Sequence, residues 1–286
     1  MIDWKEAAEE LRFVENKSWT QIANEMQHHF PGLDSQQILE KVRRYLRSCD
    51  QYKENAPEKQ EIIGVIGDTH FPFAHPNYIR FLEDTFNKYR VTRIVHIGDL
   101  VDHHAISRFQ TEVDAYSATN EFELAQKDVE IITRAFPKMD ITLGNHCLIP
   151  ERQCATLGIP TSYLKGYKEL WNLPKGCNVH EQIIINNVLY EHGIGTSGKT
   201  GAIDKATNQM MSCVIGHSHA FGGAGYRSNA KTLIFGLNVG CGIDIDRYAF
   251  RYGRYNKNRE TLGCGIVFSE SNAIFVPMDR RYFRSK

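Results

Sequence analysis

The sequence predicts an α/β fold. Five short apolar runs of strand character are separated by stretches of helical periodicity. Each run ends in Asp, Asn or His, usually beside a glycine, and the set follows a polar segment at 50–60 that closes an all-helical front end. Strand–helix alternation marks α/β architecture, and strand ends in such sheets are where sites are built.

Bulk properties bound the reading. A chain of 286 residues holds one large domain, or one large and one small. With 42% hydrophobic and 11% aromatic residues it buries a proper core, which excludes a disordered protein. The 34 basic and 34 acidic residues cancel, so any polyanion-binding signal must be local. Seven cysteines, an odd number without a Cys-x-x-Cys pair, give neither a disulfide framework nor a zinc-finger spacing. No signal-like start and no bilayer-length apolar run occur, so a soluble, cytoplasmic protein is expected.

In chain order, Trp4, Ala7, Ala8, Leu11 and Val14 fall at helical spacing. Ser18 caps a second helix with Trp19, Ile22, Ala23 and Met26 on one face. Phe30-Pro31-Gly32 breaks the chain. Asp34 or Ser35 then caps a third helix, with Ile38, Val42, Tyr45 and Leu46 inward. The tryptophans, the Phe-Pro-Gly turn and the basic third helix resemble homeodomain-like helix-turn-helix modules of the Myb type. That resemblance implies a third helix in the major groove, with Gln36 and Gln37 reading base edges. Lys41, Arg43, Arg44 and Arg47 would hold phosphates. The plainer reading is a protein-docking module or a solvated basic face, because Glu6, Glu9, Glu10, Glu15, Glu25 and Glu40 offset the cations. Residues 50–60, polar and containing Pro57, read as a linker. The domains are therefore 1–56 and 57–286.

In the large domain, 61–66 is a strand ending in Gly67-Asp68-Thr69-His70, and 76–90 is a helix. Arg93 to Ile97 is a strand ending in Gly98-Asp99-Leu100-Val101-Asp102, and 120–136 is helical again. Residues 140–143 lead to Gly144-Asn145-His146, 188–191 to His192-Gly193, and 212–215 to Gly216-His217-Ser218-His219. One histidine after a strand is more often a hydrogen-bonded structural residue. Five such ends are hard to explain as packing, because polar groups placed together must be satisfied. A shared metal site satisfies them all.

The order Asp-x-His, Gly-Asp-x-x-Asp, Gly-Asn-His, His, Gly-His-x-His resembles the calcineurin-like metallophosphoesterase superfamily. The resemblance implies an α/β/β/α sandwich beside the small three-helix domain. It implies one metal held by Asp68, His70 and His219, a second by Asn145, His192 and His217, and Asp99 bridging both. It further implies His146 as the catalytic histidine, serving the leaving group, and Asp102 as the carboxylate that orients it. Two divalent ions roughly 3.5–4 Å apart clamp a phosphoryl group. Mixed imidazole and carboxylate ligands favour manganese first, with iron, zinc or nickel open.

Two positions depart from the family pattern. Cys147 stands where Asp or Glu usually follows the histidine, and Glu151 is a possible stand-in. His103 stands where the protein Ser/Thr phosphatases carry a phosphate-clamping Arg. Without that bidentate fork the balance tilts from monoesters to diesters, with His103 and His104 as candidate substrate contacts and a plain surface residue as the alternative for His104.

Gly193 to Thr200 fits the P-loop pattern, but His192 just before it is claimed by the metal pattern. The stretch is read as a mobile loop over the substrate whose Lys199 or Ser197 touches phosphate, or as a plain flexible connection. From 226 to 286, 11 Lys or Arg face 5 Asp or Glu. There Arg251, Tyr252 and Arg254 interleave cations with rings in the manner suited to unpaired nucleic acid. Residues 264–269 and 272–277 close the chain as a hairpin.

The expected activity is dimetal phosphodiester hydrolysis on nucleic acid, as a DNA nuclease or nickase, with no membrane partner. The alternative is a small-molecule or cyclic-nucleotide phosphodiesterase or phosphatase whose front end docks a protein. A DNA-binding protein with a structural metal site is the non-enzyme reading.

Overall fold

The computed structural model describes residues 3–15, 17–46, 48–49, 61–108, 113–247, 249–250 and 259–283. It divides into two units, Met1–Gln60 and Glu61–Lys286. Among the described residues no helix is long and apolar enough to cross a membrane.

The smaller unit has three helices: α1 (Trp4–Glu9), which continues into a π-helical turn over Glu10–Val14, α2 (Trp19–Glu25) and α3 (Ser35–Leu46). Ser18 and Gln21 form a full capping box at α2. At α3 the Asp34 carboxylate accepts from the Gln36 and Gln37 N–H groups at 2.9 and 2.8 Å. The apolar faces meet in a core of Ala8, Leu11, Ile22, Met26, Phe30, Ile38, Val42 and Leu46.

The larger unit is built on two sheets. The first has strand order β11-β10-β1-β2-β3-β4, from β1 (Ile63–Ile66), β2 (Arg93–His96), β3 (Met139–Thr142), β4 (Cys177–His180), β10 (Gly263–Ser269) and β11 (Asn272–Pro277). The second has order β5-β6-β7-β9-β8, from β5 (Gln182–Ile185), β6 (Val188–Glu191), β7 (Ser212–Ile215), β8 (Gly222–Ser228) and β9 (Leu233–Val239).

Period-two side-chain alternation decides which layer each face meets. Ile63, Val65 and Val95 of the first sheet meet Val188, Tyr190, Val214, Phe235 and Leu237 of the second in one buried layer. On the outer face of the first sheet, Ile66, Met139 and Ile141 pack with Phe81, Leu82 and Phe86 of α4 (Tyr78–Tyr89) and Ala125, Val129 and Ile132 of α5 (Ala118–Ala135). Two short helices follow, α6 (Ile149–Thr156) and α7 (Tyr167–Leu170). On the outer face of the second sheet, Leu189, Cys213 and Ile215 pack with Ala202, Ile203 and Ala206 of α8 (Gly201–Gln209). Helix, sheet, sheet, helix is the α/β/β/α sandwich.

Strands β1, β2 and β3 run parallel, as do β6 and β7. Within each sheet the ends that carry Asp, Asn and His therefore leave on the same side.

Candidate metal centre

Three of the five ligand-bearing turns share one backbone device. His70, Asp99, His103 and His217 all have left-handed φ, at 48°, 47°, 58° and 64°. Non-glycine residues rarely adopt this conformation, and such strain gathers at functional sites. It lets the chain reverse at a strand end while the side chain points back over the sheet. The glycines beside these residues are cradles. A Cβ at Gly144 would lie 2.1 Å from Asp99 Oδ1, one at Gly216 2.3 Å from Asp68 Oδ1, and one at Gly98 2.7 Å from His192 Nδ1.

The turns bring six predicted metal-ligating side chains into two groups whose ligand atoms lie within 4.8 Å of one another: Asp68, His70 and His219, and Asp99, His192 and His217. The seventh, Asn145, places its Oδ1 3.0 Å from His192 Nε2. His70, Asp99 and His146 form a further such group.

The donor set calls for cations. His192 donates from Nδ1 to the Ile97 carbonyl at 3.0 Å. Its Nε2 then faces Asp99 Oδ2 at 3.0 Å, Asn145 Oδ1 at 3.0 Å and His217 Nδ1 at 3.2 Å. One N–H satisfies one of these at most. His70 Nε2 and His219 Nε2 stand 3.1 Å apart, and Asp68 Oδ1 is buried with no hydrogen-bond partner among the described residues. Burial works against charge on His192, yet Asp99 and Asp68 outweigh it and lift the ring to about 9. Burial likewise opposes ionised Asp68 and Asp99, but the facing imidazoles hold both below the usual carboxylate range. Buried oxygens and imidazole nitrogens facing one another fit divalent transition metals.

Asp102 does more than the sequence suggests. Its Oδ1 accepts from His70 Nδ1 at 2.5 Å and lies 3.2 Å from His146 Nδ1, which also donates to the Asp102 carbonyl at 2.6 Å. One carboxylate therefore orients both a candidate metal ligand and the candidate catalytic histidine. The two rings meet edge to face at 4.5 Å. Burial resists charge on His146, but the bond to Asp102 and the nearby Asp99 overcome it and raise the ring to about 9.

Around this centre, Cys147 is a buried thiol near the Tyr167 hydroxyl, pushed up to about 11 by burial, and cannot replace a carboxylate. Glu151 is exposed on the first turn of α6. His104 is not a surface residue: its side chain is 14% exposed and its Nδ1 lies 3.7 Å from Asp102 Oδ2. His103 is buried against Trp171, and burial takes its pKa down to about 4, so the ring is neutral. Glu121 was not legible as a site residue. Its carboxylate accepts from the His104 and Ala105 N–H groups at 2.6 and 2.7 Å and so fixes the turn after Asp102.

Lys199 is exposed on the loop before α8. In the small unit, Lys41 lies 4.6 Å over the Phe30 ring and Arg43 4.9 Å over Trp19. These cations rest partly on their own module's aromatic rings rather than standing free. Arg44 is exposed, as are Gln36 and Gln37, and the Gln37 side-chain carbonyl accepts the Asp34 N–H at 3.1 Å. Arg47, Arg251, Tyr252 and Arg254 lie outside the described residues.

A family model, the calcineurin-like phosphoesterase, matches residues 62–231. The chain belongs to the calcineurin-like phosphoesterase family. Similar solved structures include a Vps29 single mutant from Entamoeba histolytica, with 15% identity, TM-score 0.37, and 74% of this chain and 88% of that one covered. Vacuolar protein sorting 29 from Cryptosporidium parvum has 13% identity, TM-score 0.38, and coverage of 75% and 88%. YfcE, a phosphoesterase from E. coli, has 13% identity, TM-score 0.39, and coverage of 76% and 98%. No curated protein matches the chain.

The glycine cradles give a test of this phosphoesterase's ligand packing. Gly144→Ala should displace the Asp99 carboxylate and weaken metal binding by about 10–100-fold, the range seen when the support of a ligand is lost. Isothermal titration with Mn2+ checks it.

Proposed function

We propose that the protein is a metal-dependent phosphodiesterase that cleaves nucleic acid, as a DNA nuclease or nickase. The observation that carries the proposal is the convergence of Asp68, His70, Asp99, Asn145, His192, His217 and His219 on one cluster beside the Asp102–His146 pair. Asp68, His70 and His219 would hold one divalent ion, Asn145, His192 and His217 another, and Asp99 both. Ions held there would polarise a phosphoryl oxygen and acidify a water.

The chain's own residues supply the rest. Asp102 accepts from His146 Nδ1, and with the ring raised to about 9 the imidazolium carries its second proton on Nε2, from which it would pass to the leaving oxygen. His70, tied to the same carboxylate, keeps its Nε2 turned toward His219 and Asp99. Preference for a diester over a monoester is supported by His103: a buried neutral ring occupies the position of the phosphate-clamping Arg. Preference for nucleic acid is supported by the basic third helix of the front unit.

One panel tests this reading. The metal-loaded protein is incubated with supercoiled plasmid, single-stranded DNA, RNA, cyclic nucleotides and a phosphate monoester. Nicking or cutting of DNA is expected; turnover of the small substrates alone overturns the reading. Removing residues 1–56 should weaken DNA binding while leaving a generic diester hydrolysed.

A further inference from the structure

His96, the last residue of β2, is fully buried and belongs to none of the ligand groups. Alternation along the strand puts its side chain on the same face as Ile94, where the first sheet meets an apolar helical layer. A polar ring in such a layer is costly unless its nitrogens are paired. Both nitrogens have partners. Gly98 donates its N–H to His96 Nδ1 at 3.3 Å. A backbone N–H only donates, so Nδ1 accepts and the proton of the neutral ring lies on Nε2. Nε2 stands 3.1 Å from Thr69 Oγ1 and donates to it. The Thr69 hydroxyl then donates to the Leu100 carbonyl at 2.9 Å. These three bonds form one chain of fixed direction, from Gly98 through His96 and Thr69 to Leu100.

The chain brackets two candidate metal ligands. Thr69 and Phe71 stand on either side of His70 in sequence, and both donate to the Leu100 carbonyl, the hydroxyl and the Phe71 N–H each at 2.9 Å. Gly98 and Leu100 stand on either side of Asp99, one at each end of the chain. The two ligands have left-handed backbone, at φ 48° for His70 and 47° for Asp99, a conformation that persists only where its surroundings hold it. The His70 N–H donates to the Asp99 carbonyl at 2.9 Å, so the two turns run side by side. Their side chains end with His70 Nε2 3.8 Å from Asp99 Oδ2. A core histidine that only steadied β2 would need no partner on another ligand turn.

We propose that His96 and Thr69 are positioning residues of the metal centre: through this chain they hold His70 and Asp99 at the separation at which both reach one ion. The proposal rests on the metal centre of the reading above and not on its nucleic-acid substrate. Neither residue touches the ion or the substrate. Loss of the Thr69 hydroxyl leaves the His96 Nε2 proton without an acceptor and takes one of two donors from the Leu100 carbonyl. The turns that carry His70 and Asp99 then lose their shared support.

The test compares full-length Thr69→Ala and Thr69→Ser, which differ by one oxygen. Each is titrated calorimetrically with Mn2+ below its own thermal midpoint, and the midpoint of the metal-free protein is recorded beside it. Thr69→Ser keeps the chain and should bind Mn2+ as wild type does. Thr69→Ala should bind about 10–100-fold more weakly, the range seen when the support of a ligand is lost. His96→Phe, which keeps a ring and removes both nitrogens, should weaken binding to the same extent. A structural role alone would lower the midpoint and leave the Mn2+ affinity of the folded protein unchanged. Thr69→Ala binding as tightly as Thr69→Ser, or Thr69→Ser binding as weakly as Thr69→Ala, therefore overturns the proposal whatever the midpoints do. Wild type that binds no Mn2+ removes the metal centre and this role with it. Wild type, Thr69→Ser and Thr69→Ala all binding alike leave the centre standing and remove the role alone.

Discussion

Asp99→Asn should lose bound metal and hydrolysis together. Asp99 Oδ2 stands 3.0 Å from His192 Nε2 and 3.8 Å from His70 Nε2, a ligand of each group. Its Oδ1 accepts the His146 N–H at 2.8 Å, so the side chain also ties the third ligand turn to the second. An amide keeps the shape but gives up the charge that two cations share, and it puts an N–H donor where acceptors are needed. Metal-ion catalysis is worth several kcal/mol, so activity should fall by at least about a thousandfold. Metal content and rate measured on one preparation check this. The fold should hold, because the amide keeps the side chain's shape and leaves the apolar layers between and outside the sheets unchanged.

His146→Ala should separate the two properties. The ring is 29% exposed and bonded through Nδ1 to Asp102, which leaves Nε2 for the substrate. Metal content should stay at the wild-type level while the rate falls by about 10²–10⁴, the range of a lost general acid. Asp102→Ala should do both in part: the rate falls less than for His146→Ala, because the backbone carbonyl still accepts from His146 Nδ1, and metal affinity falls by about 10–100-fold because His70 loses its anchor. Equal metal affinity in Asp102→Ala and wild type would contradict the shared-anchor role. A fully active His146→Ala would remove the proton-transfer assignment.

The sequence made the ligand turns legible because buried parallel strands have to be apolar. A polar residue at the end of such a run is therefore visible against its background. The neighbouring glycines were visible too, and the structure explains them: Gly144, Gly216 and Gly98 have carboxylates or imidazoles where a Cβ would sit. Other elements gave no such contrast. Strand β8 reads Gly-Gly-Ala-Gly-Tyr-Arg-Ser, with no apolar run, because it is an edge strand that leaves room for Ile203 of α8 over Gly225. Strand β4, Cys-Asn-Val-His, is an edge strand with a polar face; its Asn178 and His180 bond to Asp140. Edge strands owe their stability to pairing and one-sided packing, and a single-chain pattern does not display either. The second role of Asp102 and the clamp at Glu121 were hidden for another reason. Each acts across the fold, Asp102 on His70 from 32 residues away and Glu121 on His104 from 17, and sequence spacing carries no trace of such contacts.

The most direct test of the central claim is anomalous diffraction from crystals of the full-length protein grown with Mn2+. Two peaks are predicted in the larger unit, one among Asp68, His70 and His219, the other among Asn145, His192 and His217, with the Asp99 carboxylate reaching both. A manganese peak elsewhere, or none at these side chains at saturating Mn2+, would contradict the account.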